Sequence, residues 1–172
     1  MNNNFVKRLC ELSAFVIIAV MLSYIEHLFP IGALIPVPGV KLGLSNILSL
    51  YLITRDRLKD GFIIVISKSF FSFLLFGNGI SFILSLSGNV ISVIFTAIFL
   101  FILKKGYSLI SLSIIGAAFF NIAQICASAF FYGTSVFYYL PPLLFSAAAT
   151  GALTGYIGNI SFGRIDVILK RA

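Results

Sequence analysis

The sequence predicts an all-α, polytopic membrane protein, a bundle of six transmembrane helices with both termini in the cytoplasm. Three observations carry this prediction. Hydrophobic residues make up 60% of the 172 and charged residues 10%, where a soluble domain carries roughly 25% charged residues; mean hydropathy is +1.11. Six apolar stretches, approximately 12–29, 42–54, 61–76, 80–103, 107–131 and 135–158, mostly approach the roughly 20 residues that a helix needs to cross hydrocarbon. Basic residues cluster in alternate connections. Lys7 and Arg8 precede the first stretch, Arg55, Arg57 and Lys59 separate the second and third, Lys104 and Lys105 the fourth and fifth, and Arg164, Lys170 and Arg171 follow the sixth. Loops 30–40, 77–79 and 132–134 have none. Lys and Arg are retained on the cytoplasmic side of membrane helices, so this alternation supports six spans and a multi-pass protein of the cell membrane.

Helices are the expected element because backbone groups in lipid must be satisfied within their own segment, and the runs lack the alternation of barrel strands. A single integral membrane unit over 1–172 is expected. The net charge of +7 lies in short clusters between apolar runs, so it serves topology and predicts no nucleic-acid partner.

The first stretch resembles a secretory signal, with Lys7 and Arg8 before AFVIIAVML. No A-x-A-like site follows and Glu26 and His27 end the run, so a retained helix is expected. Next comes PIGALIPVPG, 30–39, where Pro30, Pro36 and Pro38 remove donors and fix φ. This stiff apolar segment suits a pocket lid or wall, or a plain interfacial connection. Lys41 breaks the basic pattern at the outer end of span two, either as a snorkelling lysine or as positive charge for an outward-facing site; Asn46 lies a little over one turn deeper.

Span three contains Lys68, about 12 Å beyond Asp60 along a helix. A lysine near a helix centre costs roughly 2.5–3.5 kcal/mol on insertion scales, so it needs a reason. It either meets an anionic or carbonyl-bearing ligand, or pairs with Glu26 or free backbone carbonyls. If Lys41 and Lys68 both line a cavity, the expected ligand is anionic or rich in acceptors.

Ser85, Asn89 and Ser92 form a polar stripe on span four, with Gly88 beside it. On span five Ala117, Asn121, Gln124 and Ser128 follow spacings of four, three and four, which puts them on one helix face. Side-chain amides in hydrocarbon must bind a ligand or hydrogen-bond a neighbouring helix. Span six repeats small residues at Ala147, Gly151 and Gly155, a pattern that permits close packing.

The acids Glu11, Glu26, Asp56, Asp60 and Asp166 include no adjacent pair of the kind that holds Mg²⁺ for prenyl transfer. No phosphate-binding loop or nucleophile elbow occurs, and one His cannot build a zinc site. Cys10 and Cys126 fall toward opposite sides of the membrane, so no disulfide is expected. No enzyme activity, cofactor or metal is expected.

The segment from Pro36 to Asn46, PVPGVKLGLSN, with LSLSGN at 84–89 and GAAFFNIAQ at 116–124, resembles the Gx transporter family, also described as heptaprenyl diphosphate synthase component I. Phe120 stands where that pattern leads one to expect a His, so no His-dependent contact carries over. The family is similar to the S components of energy-coupling factor (ECF) transporters. This resemblance implies an S-component-like fold that binds a vitamin- or cofactor-like small molecule outside the cell, with an ECF-type transmembrane coupling subunit and separate ATPases as partners. The other name implies a noncatalytic accessory subunit of a polyprenyl synthase in isoprenoid quinone biosynthesis. Lys41, Asn46, Lys68, Asn89, Asn121 and Gln124 are the candidate substrate-binding residues, the lysines for charge and the amides for orientation.

Overall fold

The computed structural model describes residues 3–28, 43–76, 79–103 and 106–171. They form six α-helices: α1 (Asn3–Leu28), α2 (Ile47–Thr54), α3 (Leu58–Phe76), α4 (Gly79–Leu103), α5 (Leu109–Tyr132) and α6 (Leu140–Arg171). A 3₁₀ turn, Leu44–Asn46, leads directly into α2, and another, Thr134–Tyr139, precedes α6. No strand occurs among the described residues. The proline-rich segment 30–39, Lys41, Lys104 and Lys105 lie outside the described residues.

Four helical segments are long and apolar enough to cross a membrane: Phe5–Glu26, Gly79–Leu103, Leu109–Tyr132 and Thr134–Leu169. The expectation of six spans is matched in part: six helices occur among the described residues, and four helical segments have the length and apolarity that a crossing needs. α2 with its leading turn covers Leu44–Thr54, about 16 Å at 1.5 Å per residue and half the hydrocarbon thickness. α3 is long enough at 19 residues, but Lys59, Asp60 and Lys68 make it less apolar.

α2 is surrounded on every side. All of Ile47 through Ile53 is buried, as expected for a helix that is apolar around its whole circumference. Tyr51 stands at the centre of its lower half, edge-on to Phe15 of α1 at 5.9 Å and to Phe162 of α6 at 5.1 Å. Outward from this core the long helices turn Phe101, Phe130 and Phe145, each more than four-fifths exposed, to their surroundings. In water such a surface would aggregate; in a bilayer it is solvated by acyl chains.

The C-terminus of α2 is closed by Asp56 at φ 58. The Asp56 N–H donates to Ile53 O at 3.2 Å and the Arg57 N–H to Leu52 O at 2.9 Å, the paired bonds that satisfy the last carbonyls of a helix. This turn sends its two arginines in different directions. Arg55 pairs with Asp166 of α6, which also accepts from the Tyr51 hydroxyl at 2.8 Å. Arg57 pairs with Glu11 of α1 and with Asp60, which Arg8 also contacts. Four helices, α1, α2, α3 and α6, are thus tied together at the end that the charge pattern assigns to the cytoplasm.

Asp60 is buried in the first turn of α3. Burial pushes its carboxyl up, but the hydrogen bonds and charges of Arg8 and Arg57 outweigh this and hold it below the usual carboxylate range. A depressed carboxylate contributes stability that is present above the ordinary Asp pKa of about 3.9 and lost as pH falls through the folded value. In thermal unfolding of detergent-solubilised protein, Asp60→Asn is expected to cost about 1–3 kcal/mol at neutral pH. It should also flatten the loss of stability below about pH 4. An unchanged acid limb would show that other carboxylates produce it.

Candidate functional site

The half-length α2 creates the site. A helix that begins inside a bundle leaves N–H groups without partners at its start, and these must be satisfied within the protein. Gly43, at φ 72, makes the turn into it. The Ser45 N–H then donates to Glu26 Oε1 at 3.3 Å and its hydroxyl to Glu26 Oε2 at 3.4 Å. A carboxylate at the last turn of α1 thereby caps the start of α2, where the helix dipole favours negative charge.

Lys68 answers that charge from α3. It is 4% exposed, and its ammonium donates to Asn46 Oδ1 at 2.6 Å and to Ser45 Oγ and Asn89 Oδ1, both at 3.2 Å. Each of these oxygens can take one of the three ammonium hydrogens. Asn89 in turn donates to Ser69 Oγ at 3.0 Å and Ser85 Oγ at 3.4 Å. A continuous chain of polar contacts joins α1, α2, α3 and α4, with Ser45 bridging Glu26 and Lys68.

This network forms one end of a cavity that follows the bundle axis, and all six helices contribute to its wall. The space open to the centres of water molecules is about 70 Å³, enough for about five waters. Beyond Lys68 the wall carries a set of hydroxyls, Ser92 and Thr96 of α4, Ser113 of α5, and Ser146, Thr150 and Thr154 of α6, among apolar residues such as Val93 and Leu112. Phe120 closes one side over Gly88, where an added Cβ would lie 2.7 Å from its ring. Phe120 thus fills space that only a glycine leaves open.

Four of the six sequence-derived candidates, Asn46, Lys68, Asn89 and Asn121, line this cavity together. Asn121 also spans the α5–α6 contact, donating to Leu143 O at 2.8 Å. Gln124 shares the Asn121 face but is not part of the cavity wall, since it lies one turn further toward Tyr132. Lys41 lies outside the described residues. Sequence reasoning missed Glu26 as a wall residue and the α6 hydroxyl row, although Ser146, Thr150 and Thr154 recur at four-residue intervals. No group of three His, Cys, Asp or Glu able to hold a metal occurs among the described residues.

Fold and site together define an all-helical protein of the membrane type whose helices surround a partly open cavity lined by both polar and apolar side chains. The family model for heptaprenyl diphosphate synthase component I matches residues 15–160, and the chain belongs to that family. Comparison with curated proteins and with solved structures gives no match.

Proposed function

We propose that this chain is a noncatalytic membrane subunit of a larger assembly, and that its working part is the axial cavity, which holds a small polar solute. The observation that carries this reading is the cavity wall. Polar groups in a membrane bundle are costly, and a structural bundle would bury them against one another or replace them with apolar side chains. Here they converge from six helices on open space.

Membership in the component I family supports a polyprenyl diphosphate synthase as the partner, with this chain as its membrane accessory. The cavity is too small to enclose a polyprenyl tail and offers one carboxylate, Glu26, where prenyl transfer needs several to hold Mg²⁺. The prenyl chemistry therefore belongs to the partner. The polar chamber favours a second reading, in which the chain binds a solute for uptake and a coupling subunit with ATPases supplies the work. The charge pattern supports termini in the cytoplasm under either reading.

Copurification from native membranes, with uptake measured in parallel, separates these partners. A soluble polyprenyl synthase that coelutes and gains product yield supports the accessory reading. A coupling subunit with ATPases, and solute uptake that stops without them, supports the transport reading. Purified protein with neither partner and no bound solute by native mass spectrometry would overturn the proposal.

A further inference from the structure

We infer that the cavity recognises a solute rich in hydrogen-bond donors, either uncharged or bearing an ammonium group, and discriminates against carboxylates and phosphates. This rests on the solute-binding reading above and names the ligand class. It also reverses the anionic or acceptor-rich ligand expected from the lysines in the sequence.

The argument is an account of hydrogens. A hydroxyl has one hydrogen to donate and two lone pairs to accept with, while a carbonyl can only accept. A hydroxyl oxygen within bonding distance of a carbonyl has therefore committed its hydrogen there. Five wall hydroxyls are in this position: Ser49 on Asn46 O at 2.8 Å, Ser92 on Gly116 O at 2.8 Å, Ser146 on Leu143 O at 2.9 Å, Thr150 on Ser146 O at 3.0 Å and Thr154 on Thr150 O at 2.7 Å. Each can offer a ligand acceptance alone. The sequence shows hydroxyls, which look neutral between donor and acceptor; the helical backbone makes them acceptors.

The charged groups point the same way. Lys68 donates to Asn46, Ser45 and Asn89, so an anion that binds it must compete with oxygens already in place. Glu26 is engaged by Ser45 through two hydrogen bonds, which leaves acceptor capacity on a carboxylate with about four lone-pair sites. With one ammonium and one carboxylate in the described wall, the chamber has no net charge to offset a buried anion. Thr96, Ser113, the Asn46 amide nitrogen and the second amide hydrogen of Asn121 can donate to acceptors, so a solute that offers several donors and a few neutral acceptors fits best.

The test uses the full chain in lipid nanodiscs. Thermal unfolding and native mass spectrometry would be read with two sets of probes: ethanolamine, putrescine, erythritol and inositol, and succinate, inorganic phosphate and pyrophosphate. Saturable binding and a raised unfolding midpoint are expected with at least one amine or polyol and with none of the anions. Thr150→Val keeps the side-chain shape and removes one acceptor, so it should weaken that binding roughly three- to tenfold. Ser49→Ala gives the same reading from another helix should Thr150→Val unfold. Saturable binding of an anion overturns the donor assignment and leaves the solute-binding reading standing. Binding of neither set overturns both, and amine or polyol binding indifferent to both substitutions overturns the placement of the site.

Discussion

Lys68→Met is expected to lower the stability of the bundle by about 3–5 kcal/mol, the range found when one partner of a buried charged network is removed. The loss exceeds that of the hydrogen bonds themselves. Without the ammonium, Asn46 Oδ1 and Asn89 Oδ1 lose their donor, and a buried acceptor left unmet costs about 1–3 kcal/mol. Glu26 then holds its charge at the start of α2 without the ammonium that shared Ser45 with it. Methionine matches the lysine stem in length, so little packing is lost and the effect reports the charge and its bonds. Equilibrium unfolding in mixed micelles measures it. Adding Glu26→Gln to Lys68→Met should recover more than about 0.5 kcal/mol relative to the sum of the single changes, because the two groups act through one serine. A single-mutant loss under about 1 kcal/mol would show that water in the cavity already solvates Lys68, so that its oxygen partners contribute little to stability.

Lys68 was legible because an ammonium inside an apolar run carries a cost that only a built environment offsets. The same reasoning found Asn46, Asn89 and Asn121. Their mutual arrangement was less accessible, since it depends on α2 being half the length of its neighbours, and the run 42–54 looks like any short span until its burial on all sides is seen. Periodicity placed Gln124 on the face of Asn121. It has no information on depth, and the cavity ends before Gln124 is reached. Ser146, Thr150 and Thr154 were hidden for a different reason: hydroxyls satisfied by their own helix backbone are ordinary in apolar helices. Only the space beside them shows that they form a wall.

The small-residue repeat on α6 gives the second large effect. An added Cβ at Gly155 would lie 2.6 Å from the Ile110 Cα, and one at Gly151 2.7 Å from the Ile114 Cα. Both obstacles are backbone atoms of α5, so no side chain can swing away to make room. Substitution must move the helices apart, which separates Asn121 from Leu143 O and opens the seam behind Ser113, Thr150 and Thr154. Gly151→Val and Gly155→Val are each expected to destabilise by about 1–3 kcal/mol from overpacking. The double change should fall short of the sum if α6 shifts as a rigid rod, because one displacement relieves both contacts. Gly163→Ala is the control, because nothing lies within 4 Å of its added Cβ. A helical Gly→Ala change in open space is expected to be neutral or to stabilise by up to about 1 kcal/mol. Cysteine crosslinking across α5 and α6 then separates two ways of failing. Reduced crosslinking with a lowered midpoint supports a backbone-to-backbone seam. Unchanged crosslinking in Gly155→Val, with wild-type stability, would mean that α5 and α6 do not approach as closely as 2.6 Å requires, and the cavity wall they share would lose its basis.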